Sequence, residues 1–164
     1  MDALPYAAVD LDGTVADVRH RLHLVAGRPR RWDAFFAAAR DDAVLPEGEA
    51  VVRRLVQDHD LVWLSGRPER CRRDTAAWLR EHGLPPGELV LRPEGDRRPA
   101  AVVKIGLLRR LARERPLDVL VDDDPAVVRA ARRAGFTVLH ATWMGEAREE
   151  REVLHGVQER DGGA

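Results

Sequence analysis

Tyr6-Ala7-Ala8-Val9-Asp10-Leu11-Asp12-Gly13-Thr14 decides the fold. The run Tyr6–Val9 is apolar without alternation, the pattern of a strand buried on both faces of a parallel sheet. The strand leads into Asp10 and Asp12, which alternation sends to one side, and Gly13 permits a sharp backbone turn. Two carboxylates a few ångströms apart repel unless a cation or a proton lies between them, so this strand end is a natural Mg²⁺ site. An Asp-Gly turn with no role beyond reversing the chain is the plain alternative.

Working outward, four more short apolar runs follow, at residues 61–64, 89–91, 119–121 and 136–139. Between them, residues 31–40, 47–58, 68–82, 102–114 and 125–134 carry helical periodicity. Ser65-Gly66-Arg67-Pro68 is expected to open one helix and Gly83 to close it. Asp124-Pro125 is expected to open another as N-cap and N1, with Gly135 closing it. Strands alternating with helices predict an α/β domain, a parallel sheet with helices on both faces. Ligands in such sheets bind at the carboxyl ends of the strands.

The strand ends carry a coherent set of groups. Ser65-Gly66-Arg67 offers a hydroxyl and free N–H groups at an expected helix start, an arrangement that binds anions or simply caps the helix. Asp122-Asp123-Asp124 ends the fourth strand. Asp124 has a capping task, whereas Asp122 and Asp123 are costly there without a positive partner. Of 27 basic residues only Lys104 is not Arg. It is expected to begin the helix between strands three and four, within reach of the same sheet edge.

In order along the chain, Asp10-Leu11-Asp12-Gly13-Thr14, Ser65, Lys104 and Asp122-Asp123 resemble the four motifs of haloacid dehalogenase-like (HAD) phosphatases. The resemblance spans residues 6 to about 143. It implies a three-layer, Rossmann-like sheet of about five strands in the order 3-2-1-4-5, with a minimal cap. It also implies Asp10 as nucleophile and Asp12 as general acid and base. Thr14, Ser65, Gly66 and Lys104 would hold the phosphoryl oxygens, and Mg²⁺ would be bound by Asp10, the Asp12 carbonyl, Asp122 and Asp123. Residues 1–144 are expected to form the domain, with a flap at about 15–46, and residues 145–164 a charged tail.

Residues 18–32 contain five Arg and no acid, beside the catalytic turn. They read either as solvated surface or as a groove for a polyanion, with Trp32 and the histidines available for base stacking. Arg92-Pro93-Glu94-Gly95-Asp96-Arg97-Arg98 before Lys104, together with Ser65-Gly66-Arg67, resembles the phosphatase domain of polynucleotide kinase-phosphatases, which removes 3′-phosphates from nucleic-acid ends. Arg67, Arg92, Asp96 and Arg97 are then expected substrate contacts. No Gly-rich kinase loop is present, so a separate kinase or ligase is the expected partner. A HAD phosphatase of a nucleotide or small metabolite is the rival enzyme reading, and a receiver-like phospho-Asp domain the rival non-enzyme.

Composition narrows the field. A net charge of −1 gives no blanket attraction to nucleic acid or membrane, and no apolar run is long enough to span a bilayer. Cys71 has Ala77, not Arg, six positions on, which excludes a cysteine phosphatase loop. The six His lack zinc-site spacing. One cysteine and no leader pattern at Met1–Pro5 lead to the expectation of a cytoplasmic protein, and a monomer is the expected state.

Overall fold

The computed structural model describes residues 2–144, and the expected tail at 145–164 lies outside the described residues. Five parallel strands form the sheet: β1 (Tyr6–Val9), β4 (Asp60–Pro68), β5 (Glu88–Arg92), β6 (Leu117–Asp122) and β7 (Val138–His140). Their order is β5-β4-β1-β6-β7, the expected 3-2-1-4-5 for the major strands. A short antiparallel pair, β2 (Ala16–Asp17) and β3 (Ala43–Val44), stands apart and brackets the flap.

Helices α3 (Pro46–Leu55) and α4 (Arg72–Glu81) cover one face of the sheet. Val52, Trp78 and Leu79 pack there on Ala7, Val9 and Trp63. On the other face, α5 (Ala100–Glu114) and α6 (Pro125–Arg133) bury Leu108, Leu111, Val127 and Ala131 against Ala8, Val62 and Leu120. Successive β1 residues thus alternate between two cores, which is why the run carries no polar residue before Asp10. The flap holds a 3-10 turn (Arg19–Arg21), α1 (His23–Ala26), α2 (Trp32–Ala37) and a second 3-10 turn (Ala38–Asp41). It has its own small core, with Val18, Val25, Phe35 and Leu45 buried.

Three boundaries differ from the sequence reading. Residues 65–68 do not open a helix: β4 runs on to Pro68, which pairs with Arg92 after a register irregularity, and α4 starts only at Arg72. Proline lacks an N–H and is tolerated at such a break. Helix α5 begins at Ala100, so Lys104 sits in its second turn rather than at its start. The segment expected to be a flap and one helix holds two short helices and two 3-10 turns. The expected ends hold elsewhere: Asp124 accepts from the Ala126 N–H at 2.8 Å, and Gly83 and Gly135 close their helices with φ of +63° and +93°.

Two glycines bring backbone against the site. Gly13 has φ of +80°, and a Cβ there would meet Asp123 Oδ2 at 2.2 Å. Gly48 in α3 lies against the turn after β1, where a Cβ would come within 2.1 Å of the Thr14 carbonyl oxygen. By contrast, a Cβ on Gly106 in α5 meets nothing. Gly→Ala in a helix ordinarily stabilises by about 1 kcal/mol. Gly106→Ala is therefore expected to raise the melting temperature by about 2–4 °C, whereas Gly48→Ala lowers it. Thermal denaturation followed by circular dichroism checks both signs, and a stabilised Gly48→Ala would refute the close packing.

Candidate active site

The turn after β1 is built by backbone bonds converging on one carbonyl. The N–H groups of Thr14, Val15 and Ala16 all donate to the Leu11 carbonyl, at 3.0, 2.9 and 2.9 Å. That curl aims Asp10 and Asp12 past the end of the strand, and the Asp10 N–H remains in register with Val121 of β6 at 2.9 Å. Thr14 Oγ1 donates to Asp10 Oδ2 at 3.2 Å. The Trp143 indole N–H donates to the Thr14 carbonyl at 2.8 Å and pins the turn from 129 positions further along the chain.

Lys104 is the centre of the first cluster. Its Nζ donates to Asp10 Oδ1 at 2.8 Å and to Asp122 Oδ2 at 2.7 Å, with only 3% of the side chain exposed. Asp122 also accepts from the Asp124 N–H at 3.0 Å, which fixes the loop after β6. Carboxylate oxygens of Asp10, Asp122 and Asp123 lie within 4.8 Å of one another, all buried. Burial first, and then the charge of Asp122, pushes Asp10 and Asp123 well above the usual carboxylate range, against the pull of Lys104. Lys104 itself is driven up by Asp10 and Asp122, which outweigh its burial. Three buried carboxylates against one ammonium leave an excess of negative charge. An oxygen-only donor set with that excess fits a hard divalent cation such as Mg²⁺.

Asp12 belongs to a second cluster. Arg67 donates to it through Nε at 3.1 Å and Nη2 at 2.5 Å, and Arg21 through Nη2 at 2.8 Å. Both arginines also bond Asp42, Arg21 at 2.8 Å and Arg67 at 3.4 Å. Burial alone would raise the Asp12 carboxyl, but the two guanidiniums outweigh it and hold the group well below the usual range. Asp42 goes the other way, raised chiefly by burial. His20 contacts Asp42 at 2.7 Å, and Trp78 Nε1 donates to its backbone carbonyl at 2.9 Å.

The structure thus brings Asp10, Asp12, Thr14, Ser65, Lys104, Asp122 and Asp123 to one sheet edge, all nearly fully buried. Ser65 Oγ accepts from the Arg67 N–H at 3.1 Å. The expected substrate contacts are placed differently from one another. Arg67 is buried against Asp12 and also donates to Thr75 at 3.1 Å. Arg92 is buried and donates to the carbonyls of Gly66, Asp96 and Arg98 at 3.1, 3.1 and 2.7 Å, tying the end of β4 to the loop after β5. Asp96 caps that loop by accepting from Arg98, which lowers its carboxyl to about 2. Arg97 alone of the four is exposed. In the basic segment 18–32, Arg21 is fully buried, Arg19 pairs with Asp17 and Trp32 stacks on Phe36, so fewer groups face solvent than the composition implied. Arg21 and Asp42 are functional candidates that the sequence reading did not single out.

The sheet order, the Asp10-Leu11-Asp12-Gly13-Thr14 turn and the Lys104 cluster define a HAD phosphatase, a class whose chemistry is hydrolysis of phosphate esters. The family model for the polynucleotide kinase PNKP phosphatase domain matches residues 5–143, and the chain belongs to that family. No curated protein sequence matches the chain. Among solved structures, the Pnkp1/Rnl/Hen1 complex superposes with TM-score 0.68 and 24% identity, over 85% of this chain and 47% of that one. The chain therefore spans about half the length of that neighbour. A class C acid phosphatase from Bacillus anthracis with tungstate bound gives 0.63 and 15%, over 95% and 80% of the two chains. A haloacid dehalogenase-like hydrolase from Streptococcus pneumoniae gives 0.58 and 18%, over 93% and 92%.

Removing one member of a buried ion-pair network leaves its partners charged and unpaired, at about 3–5 kcal/mol. Arg21→Met is expected to lose stability on that scale in urea denaturation. Adding Asp42→Leu, which removes one of the stranded carboxylates, should recover part of the loss. A double variant no more stable than Arg21→Met would show that the two side chains are not coupled.

Proposed function

We propose that the chain is a Mg²⁺-dependent phosphomonoesterase that removes 3′-phosphates from polynucleotide ends through an aspartyl-phosphate on Asp10. The reading is carried by the Asp10–Asp122–Asp123 cluster around Lys104, in a chain of the PNKP phosphatase-domain family. Mg²⁺, held by the three carboxylates and the Asp12 carbonyl, would supply charge stabilisation at the phosphoryl oxygens.

The residues of the chain divide the remaining work. An Asp10 carboxylate oxygen attacks phosphorus, the bond to the 3′-oxygen breaks, and the leaving oxygen takes a proton from Asp12. Water then attacks the aspartyl-phosphate and gives its proton to Asp12, which releases inorganic phosphate and restores both carboxyl groups. Lys104, Thr14, Ser65 and the Gly66 N–H hold the phosphoryl oxygens through both steps. Arg67 and Arg21 keep Asp12 ionised, the state the second step requires. The first step requires a proton on Asp12, which the two guanidiniums oppose. Arg67 acts through Asp12, Arg92 and Asp96 shape the loop after β5, and Arg97 is the exposed charge for the strand.

A separate kinase or ligase is the proposed partner: the solved Pnkp1 neighbour is a longer chain in a complex with Rnl and Hen1. No described helix is long and apolar enough to cross a membrane. The proposed setting is the cytoplasm, and the proposed state a monomer.

Phosphate release from matched oligonucleotides bearing a 3′- or a 5′-phosphate, with mononucleotides alongside, tests the reading. Release is expected from the 3′-end, to be abolished by EDTA, and to fall by at least about 10³-fold in Asp10→Asn, which keeps its fold. Asp122→Asn should mainly raise the Mg²⁺ concentration needed. Turnover of mononucleotides alone would replace the polynucleotide assignment with a metabolic one, and activity retained in Asp10→Asn would remove the nucleophile.

A further inference from the structure

A cavity of about 230 Å³ lies beside the catalytic cluster, between the flap and the start of α4. Its floor is Arg67 with Thr75, its flap wall Phe36, Ala37 and Ala39, and its rim Arg40, Arg70 and Asp74. The catalytic roles above leave it unexplained. Its volume is below the roughly 300–1,000 Å³ of pockets for drug-sized ligands, so it suits one planar ring rather than a whole nucleotide.

The location is specific. Arg67 faces the cavity and donates to Asp12 at 2.5 Å, whereas Lys104, Asp122 and Asp123 do not line it. Asp12 protonates the leaving oxygen, so the leaving nucleoside lies on the Asp12 side of the phosphorus. The cavity is separated from Asp12 by one guanidinium, that of Arg67.

The lining suits a base. The Arg70 guanidinium lies 5.4 Å from the centroid of the Phe36 ring, which makes a flat cation–π platform for stacking. Arg70 is held there by Glu94 at 2.7 Å and by Asp33 at 3.2 Å. Burial pushes the Cys71 thiol up to about 11, so this wall is a neutral, weakly polar surface and not a nucleophile. Asp74, half-buried, and Arg40, exposed, make no hydrogen bond or ion pair among the described residues. One is an uncommitted acceptor and the other an uncommitted donor.

We propose that this cavity is the subsite for the nucleobase of the nucleotide that bears the phosphate, with Asp74 reading the base edge and Arg40 facing the strand. The inference rests on the polynucleotide reading above. A carboxylate accepts from the amino groups of guanine, adenine and cytosine. Uracil and thymine present one N–H flanked by two carbonyl oxygens, which repel it. The subsite therefore favours amino-bearing bases at the 3′-end.

The test measures kcat/KM for one oligonucleotide series with a 3′-phosphate, the terminal nucleotide carrying guanine, adenine, cytosine or uracil, or being abasic. The wild-type protein is expected to prefer a terminal guanine over the abasic end by at least tenfold, with uracil well below the amino-bearing bases. Ala37→Trp, an exposed flap position that would fill the cavity, should bring the ratio of guanine to abasic turnover close to one. Asp74→Asn should remove the discrimination against uracil. A ratio cancels any loss of folded protein, and the wild-type series stands without the variants. Equal turnover of all five ends would overturn the subsite and leave the 3′-phosphatase reading intact. A base preference unchanged in both variants would also overturn it, by placing base recognition elsewhere. No release from any 3′-end, with mononucleotides still hydrolysed, would overturn the polynucleotide reading and this subsite together.

Discussion

The ammonium of Lys104 is the interaction on which the active edge depends. Parallel strands of this order bring their carboxyl ends together, and the sequence puts acids at the ends of two adjacent ones, β1 and β6. Without a cation between them, Asp10 and Asp122 would be buried like charges, a costly arrangement at low local dielectric. Helix α5 solves this by crossing over from β5 and delivering one side chain to both. Asp123 joins the same group, so Lys104 stands against three carboxyl groups rather than two. Three buried carboxylates around one ammonium make an oxygen-only donor set that fits a hard divalent cation.

Two positions along the chain, the electrostatic balance is reversed. Asp12 is as buried as Asp10, yet its carboxyl is held low while that of Asp10 is driven high. Asp10 competes with two acids for one Lys. Asp12 is grasped by two guanidiniums whose other carboxylate partner is Asp42. Environments that push two neighbouring carboxyl groups apart are how one site separates the roles of nucleophile and proton carrier. The division depends on the flap as well as the sheet, since Arg21 and Asp42 both come from the segment between β1 and α3. The flap therefore helps to set the electrostatics of the candidate site.

The sheet, its strand order and the Asp10–Lys104–Asp122 cluster were legible because each rests on a local signal. These signals are an unbroken apolar run, a turn that glycine makes possible, and a lone Lys in a chain that otherwise uses Arg. The second cluster was not legible, because Arg21, Asp42 and Arg67 are distant in sequence and none breaks a pattern. In a chain with 26 arginines, nothing local separates a fully buried guanidinium from a solvated one. The same holds for Gly48, whose small size matters only because α3 presses on the Thr14 carbonyl, a contact set by tertiary packing. The misread helix start at Pro68 has a different cause. A proline after Gly-Arg fits the first turn of a helix and the ragged end of a strand equally well, and only pairing with Arg92 decides it.

The exception in composition has a geometric explanation. Elsewhere among the described residues the buried cations are Arg, at Arg21, Arg67 and Arg92, and each of those side chains spreads its donors over several acceptors. At position 104 the acceptors are two carboxylates at 2.8 and 2.7 Å that, in the proposed reaction, would also face a cation and a phosphoryl group. A planar fork of five donors would fill the space between them, while an ammonium occupies one point and leaves the remaining lone pairs of Asp10 and Asp122 directed into the site. Replacing Lys104 by Arg would conserve the charge and still close the site, because what the position requires is a small cation that satisfies two acids without covering them.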